Sequence, residues 1–134
     1  MKRTLLFAAV ISLITVVACK KDSTVNSTPT LKGVWSLDSI VTKDYLNNVL
    51  QYSNSQSGDG AKLDFQDNGN LVVTNANGVP GATQTMTYSI AGSYVSFFGG
   101  NYEIRDLNAS TVSLIRRDPT SAVEYEDVYL KLKR

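Results

Sequence analysis

The chain has no histidine and a single cysteine, Cys19. Without histidine there is no Ser-His-Asp or Cys-His catalytic machinery and no imidazole-ligated metal. One thiol forms no internal disulfide and no four-thiolate zinc or iron–sulfur site. Charge of one sign is also scarce. The 13 basic and 12 acidic side chains leave a formal net charge of +1 over 134 residues, too balanced for the basic face that nucleic-acid binding usually needs. A hydrophobic run of spanning length, about 20 residues, is missing as well. The longest apolar stretch is Leu5 to Ala18, interrupted by Ser12 and Thr15. The length suits one domain rather than two.

That apolar stretch follows a short basic head, Met1-Lys2-Arg3-Thr4, and gives way at once to polar chain. This is the layout of a signal peptide over residues 1–18. The run ends in Val16-Val17-Ala18-Cys19, with an aliphatic residue three before the cysteine and a small one directly before it. It resembles the lipobox of bacterial lipoproteins. The resemblance implies lipid attachment at Cys19 and cleavage before it, where small Ala18 lets a peptidase close around the bond. Two or three acyl chains anchor stably, each buried CH₂ contributing about 0.8 kcal/mol. The expectation is an outer-membrane lipoprotein of the bacterial cell envelope, on the periplasmic or the surface face, with no transmembrane helix. Removing residues 1–18, which hold Lys2 and Arg3 but no acid, leaves 116 residues with 11 basic and 12 acidic side chains, net −1.

Residues 19–30 read as the lipidated cysteine and a disordered tether. Lys20 to Thr30 is polar, rich in Ser and Thr and without apolar periodicity. Lys20-Lys21-Asp22 beside the cysteine resembles the start of Bacteroidetes-type lipoproteins.

Residues 31–134 read as strands, with Gly and Asn/Asp/Ser clusters between alternating runs. Val34 to Thr42 is expected to carry Trp35, Leu37 and Val41 on one face. Asp44 to Ser53 is ambiguous, and the Gly/Ser-rich 53–60 reads as a flexible loop. Leu63 and Phe65 precede a turn at Asp67-Asn68-Gly69-Asn70, and Leu71 and Val73 follow it; Asn and Gly tolerate the positive φ of tight hairpins. A loop over 75–82 leads to a strand with Met86, Tyr88 and Ile90 on one face. Val95 and Phe97 oppose Tyr94, Ser96 and Phe98 on the next. Tyr102 and Ile104, then Val112 and Leu114, flank the Asn108-Ala109-Ser110 turn, and a last strand runs from Val123 to Lys133. About eight strands joined by tight turns are antiparallel neighbours. Closure into an all-β, up-and-down barrel removes their edges. An open sandwich is the alternative.

Leu31-Lys32-Gly33-Val34-Trp35 resembles the Gly-x-Trp opening of lipocalin-like domains, and the later hairpins are similar to those of bacterial lipocalin-like lipoproteins. The resemblance implies that Trp35 plugs one end of the barrel and that a late basic residue, Arg134 ahead of Lys133 or Arg117, packs over it as a cation on an indole face, a contact of ~0.5–2 kcal/mol.

The inward aromatics Phe65, Tyr88, Phe97 and Tyr102, with Met86, either fill the interior or line a small apolar pocket; an eight-stranded barrel is just wide enough for both outcomes. Packing is the favoured expectation. Glu103 and Asp106, and Glu124, Glu126 and Asp127, could do acid–base work. Glu124 and Glu126 are expected on the solvent face of their strand, where charge is ordinary, so no catalytic residue is assigned. Asp64, Asp67, Asn68 and Asn70 lack the spacing of a calcium loop, and no metal or cofactor is expected. Two functions follow: binding of a small apolar or amphiphilic ligand inside the barrel, or a non-catalytic module contacting an envelope protein or glycan through loops 53–60 and 75–82 or the outward Tyr94 and Phe98. Enzymatic activity and nucleic-acid partners are disfavoured.

Overall fold

The computed structural model describes residues 30–134; Cys19, the expected signal peptide over 1–18 and most of the expected tether over 19–30 lie outside the described residues. The described residues form ten strands: β1 (Gly33–Leu46), β2 (Val49–Ser57), β3 (Lys62–Phe65), β4 (Asn70–Thr74), β5 (Thr83–Thr87), β6 (Ser89–Ala91), β7 (Tyr94–Phe97), β8 (Gly100–Arg105), β9 (Thr111–Pro119) and β10 (Glu124–Lys133). All pairings are antiparallel, in the order β5-β4-β3-β1-β10-β9-β8-β7-β6, with β2 added to β1. β5 and β6 are two halves of one strand broken at Tyr88. The first half pairs with β4 and the second with β7, so the two ends of the sheet meet along this strand. The result is an all-β, nearly closed, lipocalin-like barrel of eight staves, with β2 outside the ring.

Turn chemistry sets the hairpins. Asn68 Oδ1 accepts a bond from the Asn70 backbone N–H at 3.0 Å, and Gly69 takes φ 83°. Asn108 Oδ1 accepts from the N–H groups of Ser110 and Thr111, both at 2.9 Å. At Asn47-Asn48 both residues are left-handed, φ 52° and 63°. That geometry matches the twist of a two-residue hairpin, and it turns β1 into β2.

Alternation supplies the core. Trp35, Leu63, Phe65, Leu71, Val73, Val95, Phe97, Tyr102, Val112, Leu114 and Leu132 are buried in one cluster.

Two sequence expectations are corrected. Residues 53–57 are not a flexible loop but the second half of β2, paired residue by residue with β1 from Ser39↔Ser57 to Leu46↔Val49. Polar Ser, Asn and Gln hid a strand whose side chains are largely exposed. Val41 does not share the face of Trp35 and Leu37. The β1–β10 register shifts between Leu37 and Ser39, so Asp38 is an extra residue that reverses the parity. Ile40 turns inward instead, and Val41 lines the outer surface with Ile115 and Tyr129. Ile90 keeps the face of Met86 and Tyr88, since it pairs with inward Val95, but past the break at Tyr88 it is left exposed.

Candidate functional site

The barrel is filled at one end. Trp35 is fully buried, and its indole N–H donates to the Leu31 carbonyl at 2.7 Å. The Arg134 guanidinium carbon lies 4.0 Å from the centre of the indole. The same guanidinium donates to the Lys32 carbonyl, and the Arg134 backbone N–H to the Ser110 carbonyl at 2.9 Å. The chain's last residue is thus fixed both to its first strand and to the β8–β9 connection. Lys32 and Asp67 form an exposed ion pair at 2.7 Å across the same end. Lys133 pairs with Asp38 and Arg117 with Asp127.

Above the tryptophan the aromatics pack on one another. Phe65 meets Tyr88 edge-on at 5.1 Å and Phe97 edge-on at 5.9 Å. Phe97 and Tyr102 stack at 4.5 Å. These are the offset and edge-to-face geometries that aromatic quadrupoles favour. The Tyr88 hydroxyl donates to the Gln66 carbonyl at 2.8 Å, and Met86 packs against the same cluster. Phe65 has no exposed surface.

At the other end the filling stops. A cavity of about 370 Å³ opens beyond the Phe97–Tyr102 stack. Its walls are apolar: Leu37 and Ile40 from β1, Leu63 from β3, Val73 from β4 and Leu130 from β10. Its rim is polar, built from Gln56, Ser57, Gly58 and Asp59 on one side and Asn75, Asn77 and Gly78 on the other. The segments 53–60 and 75–82, far apart in the chain, therefore meet at one mouth. Asn75 joins them. Its Nδ2 donates to the Gly60 carbonyl at 3.0 Å, and its Oδ1 accepts from the Gly81 N–H at 2.9 Å. Gly58 is needed where it stands, since a Cβ there would come within 2.0 Å of the Leu37 carbonyl oxygen.

Of the five residues proposed from the sequence as cavity lining, Phe97 and Tyr102 form the floor of this cavity. Phe65 is core. Met86 and Tyr88 line a second hollow, of about 780 Å³, in the barrel wall between β5 and the β7–β8 turn. The aliphatic lining was missed for a specific reason. Leu37 and Leu63 were read as inward, but Ile40 became so only through the bulge at Asp38.

The outer face is polar and tyrosine-rich. Tyr45 and Tyr125 stack at 4.8 Å, and Arg117 lies 4.0 Å over Tyr125. Arg117 also makes a bidentate pair with Asp127, at 2.7 and 2.8 Å. The Asp127 side chain is only 5% exposed although it faces outward, because these rings and Arg117 cover it. The same contact raises the pKa of Arg117: the hydrogen bonds it donates to Asp127 outweigh the opposing effect of burial. Burial first, and then the charge of Asp127, raises the Tyr129 phenol above its ordinary value. Glu124 is exposed and Glu126 half-buried, on the strand face that further along β10 carries Leu130 and Leu132. Among the described residues no group of three or more acidic or sulfur side chains could hold a metal ion, and no helix is long and apolar enough to cross a membrane.

No family model, curated protein or solved structure matches the chain.

Proposed function

We propose that this is a cell-envelope lipoprotein, acylated on Cys19 and held at the outer membrane, whose barrel binds a small apolar or amphiphilic ligand without catalysing a reaction. The observation that carries the binding reading is the cavity. Its volume, about 370 Å³, falls within the roughly 300–1,000 Å³ of small-molecule sites, and an apolar wall with a few polar groups at the mouth is the usual make-up of such sites. The anchor rests on the Val16-Val17-Ala18-Cys19 pattern.

Native mass spectrometry of the full chain, isolated from its own membranes, tests the binding reading. The expected result is a bound small molecule that Leu130→Trp, which fills the cavity, excludes. Absence of any adduct, together with failure to bind added single-chain lipids, overturns it. Membrane sedimentation tests the anchor separately. Cys19→Ala moves the protein to the soluble fraction, and a variant that still sediments with membranes removes the anchor from the proposal.

One observation favours the alternative of an interaction module for an envelope protein or glycan. Tyr94, Glu103, Arg105, Arg117 and Tyr129 line a shallow outer groove of about 530 Å³, with aromatic and paired charged groups side by side. A glycan-binding screen in which Tyr94→Ala abolishes a hit supports that reading. A screen with no hit leaves the cavity as the site.

A further inference from the structure

The slot in the barrel wall has a structural cause. From Thr83 to Thr87 the broken strand pairs only with β4, and its partner on the other side, β7, is engaged by residues 89–91 alone. At the break the Tyr88 N–H goes to the Gly69 carbonyl at 2.9 Å. The wall is therefore open between β5 and the β7–β8 turn. The hollow there takes inward residues, Met86 and Tyr88, together with outward ones, Thr87, Ser89, Ser96 and Asn101, so it passes from the inner to the outer surface. It shares Gln84, Phe97 and Phe98 with the apolar cavity, and the two meet at those side chains.

Phe98 is the residue that folding does not explain. It occupies the first position of a two-residue hairpin with φ 51°, and Gly99 follows with φ 69°. Two successive left-handed residues favour Asn-Gly, and a bulky side chain at positive φ is an outlier. Such outliers gather at ligand-binding sites. The ring is 52% exposed and leans on Phe97 at 5.8 Å, at the junction of the cavity and the slot.

The chemistry of the slot is neutral. Its polar side chains are hydroxyls and amides, with Ser96 donating to Asn101 at 3.0 Å, and no charged side chain lines it. Arg116, which passes beside Gly100, is already paired with Asp118 at 2.6 Å. A phosphate or carboxylate would find no free cation there, whereas a hydroxylated headgroup would find donors and acceptors.

We infer that the slot between β5 and the β7–β8 turn is the headgroup subsite for a single-chain amphiphile with an uncharged, hydroxyl-bearing head, such as a monoacylglycerol, and that Phe98 clasps its chain where it passes from the slot into the cavity. This rests on the binding reading above and adds the route, the head and the specificity residue.

A monoacylglycerol with a diazirine in its acyl chain, irradiated with the full chain and mapped by peptide mass spectrometry, tests it. The expected label falls on cavity residues such as Leu63 and Leu130. Unlabelled monoacylglycerol suppresses that label, while the corresponding fatty acid or lysophosphatidylglycerol at equal concentration does so several-fold less. Phe98→Asn, which suits the turn, lowers labelling roughly tenfold, the scale of one lost aromatic contact, with a melting midpoint equal to or above that of the parent. The inference is overturned if Phe98→Asn labels like the parent, if it melts well below it (making Phe98 a packing residue), or if the anionic lipids compete as well as the neutral one. In each of those cases labelling of the parent cavity still stands and the binding reading with it. If no lipid labels the parent cavity, the binding reading fails and the subsite falls with it.

Discussion

The two ends of the barrel are built from the same strands by different means. At the Trp35 end, side chains of large volume interlock. The indole is capped by Arg134, its N–H is satisfied by Leu31, and Phe65 and Leu71 fill the space beside it. At the far end, small and aliphatic residues leave about 370 Å³ empty, and backbone geometry closes the mouth instead. Asn75 ties one rim segment to the other, and Gly58 lets the chain pass against Leu37. A close-packed interior resists loss of volume, since removing a buried side chain forfeits both transfer energy and contacts. An end that is already hollow tolerates such loss and is sensitive to added atoms. The division is the one that the proposed binding function requires, a filled end that keeps the fold and a hollow end with room for a guest.

The sharpest way to break this comparison is at its two extremes. Trp35→Ala is expected to destabilise the fold by about 3–5 kcal/mol, the range for deleting a buried Trp or Phe, as a loss of stability in denaturant unfolding. Gly58→Ala should approach about 3 kcal/mol, the upper range for overpacking, through the backbone clash with Leu37. Under the proposed binding function it would also lower ligand uptake, because Gly58 is part of the mouth. If the alanine is neutral at Gly58, the mouth is softer than its geometry indicates. Leu130→Ala should cost about 1–2 kcal/mol, below the roughly 2–5 kcal/mol of a fully enclosed leucine, because one side of Leu130 already faces empty space. A value as large as that for Trp35→Ala would erase the distinction between the ends.

Smaller effects come from the outer face. The Tyr129 phenol is raised by burial and then by Asp127, so its folded pKa lies above the unfolded value of about 10. The folded state therefore holds the phenolic proton more tightly. The resulting stability is fully present below about pH 10 and is lost as pH rises through the folded pKa. Ultraviolet titration should show a tyrosine ionising above the ordinary value, and Tyr129→Phe should remove that late step. Tyr52→Ser, on the exposed β2, should change stability by no more than about 0.5 kcal/mol. A larger loss in thermal unfolding would mean that β2 supports the barrel rather than extending it.

Much of the barrel was legible because its signals are local. Asn68-Gly69 and Asn108-Ala109-Ser110 specify turns through their own side chains and φ preferences, and alternation in Leu71–Val73, Val95–Phe97 and Val112–Leu114 names the inner face strand by strand. β2 was not legible. Its Ser, Asn and Gln residues carry no apolar alternation, and the sign of it was the Asn47-Asn48 turn, which shows only when the flanking residues are paired. The candidate site was half legible. Phe97 and Tyr102 alternate with polar neighbours and could be assigned inward. Ile40 could not, because one extra residue at Asp38 reverses its parity, and bulges are settled by the partner strand.

The amino-acid sequence by itself determined most of the strand-and-turn pattern, the apolar face of the strands that alternate without a bulge, the absence of histidine chemistry and the Gly-x-Trp entry into the first strand. These depend on residue type and spacing within a few positions. Which end is filled and which is hollow was decided only in three dimensions. So were the break at Tyr88 that opens the wall, the meeting of segments 53–60 and 75–82 and the burial of outward-facing Asp127. Each of these depends on the register between strands distant in the chain, and register is a property of the closed sheet rather than of any one strand.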